Sequence, residues 1–326
     1  MGNLIQRFVL DNSGKFIDQH ISGAPLFAAA AAKSLAIPSA IQSRIGSNFP
    51  AAQIKHIDTM GIDTALVHQL KEPLDQRLFT SLADPAHPRY DQPVHHFAAL
   101  NQPLPKELLD YLYAGHRIDS RKERTSLTWR EADLQGISKN IGAAHLCPAD
   151  FLSHELIPSA LRQLEIEIIT LEAPASYMIP DFKRAIPELV TGLKAFITSR
   201  NRLLAMYGER ADLREVMENI ASYGCDSVIA VNQFTGIDLY IASSAQHIHI
   251  PAYPSKLRDL TFARSSFAGG LLASLLGSND QIESALYAAA TMSVATESHD
   301  PFFILDTYQG LITSRKENLA LAMKTL

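Results

Sequence analysis

Two histidines separated by one residue are the first place where this sequence could hold a metal. His247 and His249 flank Ile248 in a stretch that we predict to be a β-strand, and residues two apart on a strand lie on the same face. Imidazole pairs of this kind ligate zinc, but a zinc site needs at least a third protein ligand. No third ligand is evident in the sequence, so a pair of exposed strand histidines is the favoured interpretation.

A cysteine and a histidine two residues apart could form a nucleophile and its base. Cys147 follows His145 at the end of an apolar segment, and a nucleophilic thiol needs a base within hydrogen-bond reach. Free cysteine is, however, among the most buried residue types, and we expect Cys147 to be structural. The only other cysteine is Cys225, so neither a disulfide scaffold nor a zinc module is expected, which fits a protein of the reducing cytoplasm.

Polar and basic side chains crowd a segment just before a predicted helix. Asp259 and Thr261 come first, and Phe262-Ala263-Arg264-Ser265 follows. Short acidic and hydroxyl side chains in this position accept hydrogen bonds from the unpaired N–H groups of a helix, so capping and bracing of the helix is the simplest interpretation. The hydroxyl of Ser265 is not a general base near neutral pH without a base beside it.

Composition excludes several classes of protein. The chain has 326 residues, of which 47% are hydrophobic and 19% charged, with 29 basic against 34 acidic side chains and a net charge of −5. This balance is that of a globular protein and not of a disordered one. The negative charge argues against nucleic acid or an anionic membrane as a partner. The longest apolar run, 23–32, is shorter than the ~18 residues that a membrane helix needs.

The elements that must position these residues alternate between strand and helix. We predict helices at 24–35, 46–61, 150–163, 200–207, 212–222, 265–276, 280–296 and 306–324. We predict strands at 39–45, 64–67, 143–146, 167–171, 195–198, 227–231, 239–241 and 247–250. This rhythm is typical of a doubly wound α/β fold with parallel strands. The proline-rich stretch 71–105 interrupts it, so we expect a single domain over 1–326 with a lid-like insertion around 71–130.

Five segments, in their order along the chain, carry a resemblance to a known family. They are 22–29 (SGAPLFAA), 44–49 (RIGSNF) with 60–64 (MGIDT), 195–199 (AFITS), 228–240, and 251–270, which begins PAYP and ends FAGG. Together they resemble the PfkB, or ribokinase-like, family of sugar and nucleoside kinases over nearly the whole chain. The resemblance implies a three-layer αβα fold with a mostly parallel sheet and a small β lid. It also implies transfer of the γ-phosphoryl group of ATP to a hydroxyl.

The resemblance also implies where a site would lie. The catalytic aspartate of the family falls on Ser265. Three positions of the family's sugar site fall on Arg7, Gly23 and Phe27. Its nucleotide-binding positions fall on Asp259, Thr261, Phe262, Ala263, Arg264, Gly236, Ser199 and Arg202.

The sequence departs from the family at the residues that perform the chemistry. The family's Gly-Ala-Gly-Asp becomes Phe262-Ala263-Arg264-Ser265, and the glutamate of its N-x-x-E motif, which helps to hold hydrated magnesium, becomes Arg202. Loss of a general base costs ~10²–10⁴ in rate, and loss of anion stabilisation ~10²–10³. Arginine cannot ligate Mg²⁺. Efficient kinase activity is therefore not expected.

Three of the departures replace an acid or a glycine of the family with arginine. If Arg7, Arg202 and Arg264 converge, they form a positive cleft, because guanidinium groups bind carboxylate or phosphate without a metal. The alternative is three solvated surface arginines left by relaxed selection. The sequence leaves both alternatives open.

The expected function is that of a PfkB-family homologue without efficient catalysis, which binds a small molecule, with an anionic one favoured by the arginines, or a protein partner. The alternative is an active ATP-dependent phosphotransferase for a sugar or nucleoside hydroxyl, with a rebuilt site. A structural subunit paired with an active paralogue is a weaker third hypothesis. We expect no metal site, and ATP with Mg²⁺ as cofactors only under the kinase alternative. The resemblance also suggests a homodimer.

Overall fold

The computed structural model describes residues 1–113, 115, 117–137, 141–308 and 310–326. Its strands are β1 Ile5–Leu10, β2 Phe16–Ser22, β3 Ser43–Ile45, β4 Val67–Gln69, β5 Arg77–Ser81, β6 Ala143–Leu146, β7 Ile168–Glu172, β8 Ala195–Ser199, β9 Ser227–Asn232, β10 Gly236–Ile241, β11 Gln246–Pro251 and β12 Lys324–Thr325. Its α-helices are α1 Ala24–Ser34, α2 Ala51–Thr59, α3 Pro93–Ala99, α4 Phe151–Gln163, α5 Ile186–Val190, α6 Arg200–Tyr207, α7 Leu213–Ala221, α8 Ala263–Ser278, α9 Gln281–Ala295 and α10 Leu311–Ala322.

A central sheet organises the described residues. Its strand order is β12-β11-β10-β9-β8-β7-β6. Pairing is parallel from β6 to β9 and antiparallel from β9 to β12. Strands β3 and β4 form a separate parallel pair. The expected α/β architecture, a central sheet with parallel strands flanked by helices, is confirmed.

Helices cover both faces of the sheet because side chains alternate along its buried strands. On β8, Ala195 and Ile197 join the apolar cluster that includes residues of α1, α8, α9 and α10. Phe196, between them, joins the cluster that includes residues of α4, α6 and α7. A strand that is buried on both faces consists of a nearly continuous run of apolar residues, and residues 195–197 of β8 form such a run.

The alanine run of α1 allows α8 to approach very closely. A Cβ atom on Gly269 would come within 2.0 Å of the carbonyl oxygen of Ala28. The small side chains of α1 from Ala28 to Ala32 are all buried. The close packing fixes the position of α8, and with it the position of the helix end that begins at Ala263.

A second, three-stranded sheet lies apart from the central one, with the order β2-β1-β5. Strand β1 pairs antiparallel with β2 and parallel with β5. The span 71–130 contributes β5 and α3 to this lid region, while β1 and β2 come from the first 22 residues, where we had not expected strands. Residues 114 and 116 of that span lie outside the described residues. Aromatic packing of Phe8, Phe79, Phe97 and Tyr111 holds the lid together.

None of the helices in the described ranges is long and apolar enough to cross a membrane.

Candidate functional site

The amino-terminal end of α8 is the centre of the site. The helix begins at Ala263, and its N-cap residue Phe262 supplies no side-chain hydrogen bond. Asp259 and Thr261 do not cap it either, since the side-chain oxygens of this pair bond Arg7 and each other. A helix end of this kind presents N–H groups without intrahelical partners and the positive end of the helix dipole. It lies beside the carboxyl end of strand β7, and open α/β sheets bind ligands at the carboxyl ends of their strands.

Glu172 connects two of the predicted site residues. The hydroxyl of Ser265 donates to Oε2 of Glu172 at 2.8 Å, and Nε of Arg264 donates to Oε1 at 3.2 Å. Glu172 is the last residue of β7 and is almost fully buried. The sequence did not single out this carboxylate, because it lies 93 positions before Ser265 in a strand that reads as apolar.

Arg202 lies near the same carboxylate, within range of its charge, but bonds a different group. It lies in the first turn of α6, whose N-cap hydroxyl, Ser199 Oγ, accepts from the backbone N–H of Arg202 at 3.3 Å. Its Nη1 donates to the carbonyl of Ala173 at 2.7 Å. Burial, followed by the charge of Arg264, lowers the pKa of Arg202 to about 9. Two cations thus lie near Glu172, and of the two only Arg264 is bonded to it in the described structure.

The third arginine has a different role. Arg7 is fully buried; its Nη1 donates to Asp259 Oδ2 at 2.5 Å and its Nη2 to Thr261 Oγ1 at 2.7 Å. Its Nε donates to Thr80 Oγ1 of the lid strand β5 at 3.0 Å. Burial alone would raise the pKa of Asp259, but the charge and hydrogen bonds of Arg7 outweigh it and hold that pKa below its ordinary value. Arg7 therefore ties the lid to the segment before α8.

Two phenylalanines fill the space beside this ion pair. The rings of Phe27 and Phe262 have centroids 5.1 Å apart, and the guanidinium of Arg7 lies 5.5 Å from the Phe262 ring. The structure thus brings the predicted residues Arg7 and Phe27 together with Phe262. Gly23 has a backbone role: its φ is +125°, and a Cβ atom there would lie 2.5 Å from the carbonyl oxygen of Asn3.

The lid contributes two tyrosines that the sequence did not indicate. The rings of Tyr90 and Tyr113 stack with centroids 5.4 Å apart. Tyr90 hydrogen-bonds Thr261, yet burial raises its pKa above the ordinary value. No local pattern marks these residues as functional, since only the folded lid places Tyr90 beside Thr261 and Tyr113 beside Tyr90.

Gly236 lies at a different cavity from the cluster around Ser265. It lines a space of about 310 Å³ between the turn after β9, the segment after β11, and α9, with Pro251, Tyr253, Met292 and Thr296. Its φ is +116°, and a Cβ atom would lie 2.1 Å from the carbonyl oxygen of Ile250. The backbone at this turn therefore requires glycine.

The other residues weighed from the sequence take structural positions. His247 bonds Glu218 and His249 bonds Asp238, each at 2.8 Å, so each imidazole has its own carboxylate partner. Cys147 is buried, as expected, and burial raises the pKa of its thiol to about 12. Within the ranges that the structure describes, no group of three or more histidine, cysteine, aspartate or glutamate side chains is placed to hold a metal.

The site does not fit the magnesium ion that a kinase of this fold would use. Hard cations need several free oxygen ligands. The buried carboxylate nearest to Ser265, that of Glu172, already accepts from Ser265 and Arg264, and the cation of Arg202 lies close by. The oxygens of this carboxylate are therefore not free to ligate a hard cation.

The sheet, the three-stranded lid and a site at the carboxyl ends of parallel strands define a ribokinase-like α/β fold, the fold of sugar and nucleoside kinases. Three solved structures illustrate the similarity. A nucleoside kinase from Burkholderia thailandensis in complex with inosine is 14% identical and has a TM-score of 0.68, covering 98% of this chain and 97% of that one. Fructokinase from Vibrio cholerae O395 with fructose, ADP and calcium is 14% identical with a TM-score of 0.66, covering 96% of each chain.

Aminoimidazole riboside kinase from Salmonella enterica, in complex with aminoimidazole riboside and an ATP analogue, is 14% identical, with a TM-score of 0.64 over 97% of this chain and 98% of that one. No protein-family model matches the sequence, and no curated protein sequence matches it. The expected resemblance in fold to ribokinase-like kinases is therefore confirmed by structure over about 97% of the chain.

Proposed function

We propose that this protein binds an anionic small molecule, a phosphorylated or carboxylated sugar or nucleoside derivative, and does not transfer phosphoryl groups from ATP. The ligand lies against the amino-terminal end of α8. Arg264 and Arg202 supply its counter-charge, and the lid tyrosines Tyr90 and Tyr113 cover it.

The observation that carries this proposal is that two positive side chains lie near a single negative one, Glu172. Arg264 is ion-paired with the Glu172 carboxylate at 3.2 Å, and Arg202 lies near enough to feel the charges of both. Among the described groups, the guanidinium of Arg202 donates to the neutral carbonyl of Ala173 and forms no ion pair of its own, so its positive charge lacks a direct carboxylate partner. An anion bound between the two arginines restores the balance, and hydrogen bonds to charged groups typically contribute ~1.5–3 kcal/mol each. Arg264 is partly exposed and makes its only described hydrogen bond through Nε, so its two Nη groups are available to a ligand.

The same contacts argue against phosphoryl transfer. A general base must take the proton of the attacking hydroxyl, and here the Ser265 hydroxyl is instead the donor of a hydrogen bond to Glu172. The Phe27–Phe262 contact and the buried Arg7–Asp259 pair occupy positions that the resemblance assigned to the sugar and the nucleotide.

Calorimetric titration tests the proposal. Sugar phosphates, sugar carboxylates and their neutral parent sugars are titrated into the native protein, and ATP is titrated with and without Mg²⁺. We expect only the anionic ligands to bind, without a requirement for magnesium. Arg264→Gln should weaken binding by about 10- to 100-fold, since it removes a charged hydrogen bond of roughly 1.5–3 kcal/mol. Arg214→Gln, at an exposed arginine of α7, is the matched control and should leave affinity unchanged.

A second candidate function rests on one contact. The Ser265 hydroxyl and the Glu172 carboxylate, 2.8 Å apart, are a hydroxyl and a base within reach of each other, as an activated site requires. In this alternative, Glu172 accepts the proton of a substrate hydroxyl through Ser265, and the protein is an active phosphotransferase with a rebuilt site. Magnesium-dependent release of ADP with a neutral sugar or nucleoside would favour this function over anion binding.

A further inference from the structure

Two histidines meet where the lid sheet contacts the rest of the protein. His20 lies on the lid strand β2, and His299 lies in the segment between α9 and α10. Their rings are in edge contact, with centroids 6.1 Å apart and planes at 69°. The pair therefore lies across the surface along which the lid would separate from the body.

An ion pair joins the lid to the body next to these histidines. Arg7 is the ladder partner of His20 in the pairing of β1 with β2, and its guanidinium bonds Asp259 and Thr261 of the body. Oδ2 of Asp259 accepts from Arg7, and Oδ1 accepts from the N–H and the hydroxyl of Thr261. The carboxylate whose charge reaches both histidines is thus already bonded on both of its oxygens.

A proton on His20 would have no carboxylate to bind while the lid is closed. Both ring nitrogens are buried, and among the described atoms neither has a hydrogen-bond partner. Burial, followed by the charges of Arg7 and His299, lowers the pKa of His20 to about 4. The backbone of Asp18 and the charge of Asp259 oppose this shift more weakly. The closed lid therefore holds a neutral imidazole at this position.

His299 is affected by the same surroundings. Burial, followed by the charge of Arg7, lowers its pKa, and nearby carboxylates offset the shift only in part. Those carboxylates belong to Asp259 before α8, Asp300 beside the histidine, and Asp11 after β1. An imidazole in water has a pKa of ~6.5, so both histidines would become charged in mildly acidic solution if the lid opened.

We propose that His20 and His299 form a proton-sensitive latch, which holds the lid closed over the Arg264–Arg202 site at neutral pH and releases it in mildly acidic solution. Opening exposes both imidazoles to water, where each binds a proton and becomes imidazolium. Closing expels the same protons. The latch regulates the site of the proposed function, and this regulatory role rests on that function.

The direction and steepness of the pH dependence follow from the number of protons bound. A group that is neutral in the closed form and charged in the open form shifts the equilibrium by about tenfold per pH unit below its ordinary pKa. His20 alone supplies this factor between pH 6.5 and about 4, and His299 adds to it because its pKa is lowered in the same direction. Two such groups give at most about a hundredfold change per pH unit.

The first test measures the position of the lid without any ligand. Spin labels are attached to Lys15→Cys in the lid and Ser314→Cys in α10, both at exposed positions. The native cysteines, Cys147 and Cys225, are buried and should not react. Pulsed electron paramagnetic resonance then gives the distance between the labels from about pH 7.5 to 5. We expect a second, longer distance to appear in acid, with the ratio of open to closed forms rising at least about tenfold per pH unit below pH 6.

Variants that cannot be protonated show whether the histidines cause this opening. His20→Phe keeps a ring of similar shape, and His20→Gln is a second neutral substitution in case the first disturbs the packing. Combined with His299→Gln, each should abolish most of the response to pH. His87→Gln, at an exposed lid histidine, should keep the native response. An unchanged distance in the native chain down to pH 5, or the same response in both double variants, would overturn the latch.

The second test separates the latch from the proposed function. A sugar sulfate keeps its charge between pH 7.5 and 5, so its affinity in calorimetry reports the state of the protein alone. We expect the affinity to fall over the pH range in which the spin labels show opening, since only the closed lid covers the ligand. It should fall less in the double variants.

The possible outcomes are distinguishable. An affinity that stays constant or rises while the lid opens would overturn the regulation of the site. A sulfate that binds at no pH would contradict the proposed function and, with it, the regulatory role, whereas the latch itself is decided by the distances between the spin labels.

Discussion

The hydroxyl of Ser265 donates a hydrogen bond to Oε2 of Glu172 across 2.8 Å, although 93 positions separate the two residues. The contact joins the first turn of α8 to the end of β7, and Arg264 bonds the other oxygen of the same carboxylate. The position that the resemblance assigned to a catalytic base is thus occupied by a hydrogen-bond donor. This relationship, together with the neighbouring Arg202, is the basis for proposing ligand binding without phosphoryl transfer.

The buried pair Arg7–Asp259 should make a large contribution to stability that depends on both partners. Removing one partner of a buried ion pair strands the other charge and typically costs ~3–5 kcal/mol. We expect Arg7→Met and Asp259→Asn each to lower the free energy of unfolding by about that much in urea titrations. The double variant should lose less than the sum of the two. The exposed pair Arg89–Asp91 is the control, and its variants should each cost less than ~1 kcal/mol. Strict additivity at Arg7 and Asp259 would contradict their coupling.

Stability should fall in mildly acidic solution because both ring nitrogens of His20 are buried without a hydrogen-bond partner among the described atoms, which disfavours the charged imidazolium. Burial, followed by the charges of Arg7 and His299, lowers the pKa of His20 from 6.5 to about 4. Between those values the unfolded chain binds the proton more readily than the folded one, so the free energy of unfolding decreases as the pH drops from about 6.5 to about 4.

The measurement is urea unfolding at several pH values for the native chain and for His20→Gln, which should show a shallower dependence on pH. His87→Gln removes an exposed histidine and should keep the slope of the native chain. If both variants kept the pH dependence of the native chain, His20 would take up its proton in the folded state as readily as in the unfolded one, contrary to the prediction.

Gly23 should be required for backbone geometry and close packing. With φ at +125° and a Cβ position 2.5 Å from the Asn3 carbonyl oxygen, Gly23→Ala meets both strain and a clash. Strained backbone alone costs ~1–3 kcal/mol. Gly208→Ala is the matched control, because Gly208 has φ +115° but nothing within 4 Å of its Cβ position. Thermal denaturation should show the larger loss for Gly23→Ala, and equal losses would mean that the contact with Asn3 relaxes.

The fold class could be predicted from the sequence because its signals are local. Runs of apolar residues indicated the strands β6 to β9. Helices such as α4 and α9 were also predicted, and their observed bounds differ from the predicted ones by one or two residues. Strands β1 and β2 were missed. The two carry polar residues such as Gln6, Arg7 and Asp18, so they lack the clear alternation that indicates a strand.

The site was less predictable, because its contacts join distant parts of the chain. Arg7 and Asp259 are 252 positions apart, and nothing near Glu172 in the sequence indicates that Ser265 and Arg264 would reach it. The sequence left open whether three arginines converge. In the structure the charges of Arg202 and Arg264 interact, whereas Arg7 is paired with Asp259. Which of these arginines keeps a free charge depends on the folded partners and not on the residue type.

Self-association through the lid remains a prediction. Large apolar side chains are exposed within one span of the lid region: Val94, Leu100, Leu109, Leu112 and Ile118. Burying such side chains against a second copy would contribute ~1.5–3 kcal/mol for each one fully covered. We expect sedimentation at tens of micromolar to show a species of twice 35.8 kDa, and Leu112→Asp to dissociate it. Leu321→Asp, at an equally exposed residue of α10, should have no effect. A single 35.8 kDa species for the native chain would rule the dimer out.

The most direct measurement is a coupled assay of ADP release by the native chain with Mg-ATP across sugars, nucleosides and vitamins. We expect no turnover above background. The single variant Ser265→Asp should also show no turnover, because Phe262, Arg264 and Arg202 remain. The minimum change that could restore activity is the combination of Phe262→Gly, Arg264→Gly, Ser265→Asp and Arg202→Glu. Magnesium-dependent turnover by the native chain at roughly 1–10³ s⁻¹, lost in Ser265→Ala or Glu172→Gln, would contradict the proposed function and make the Ser265–Glu172 pair a catalytic one.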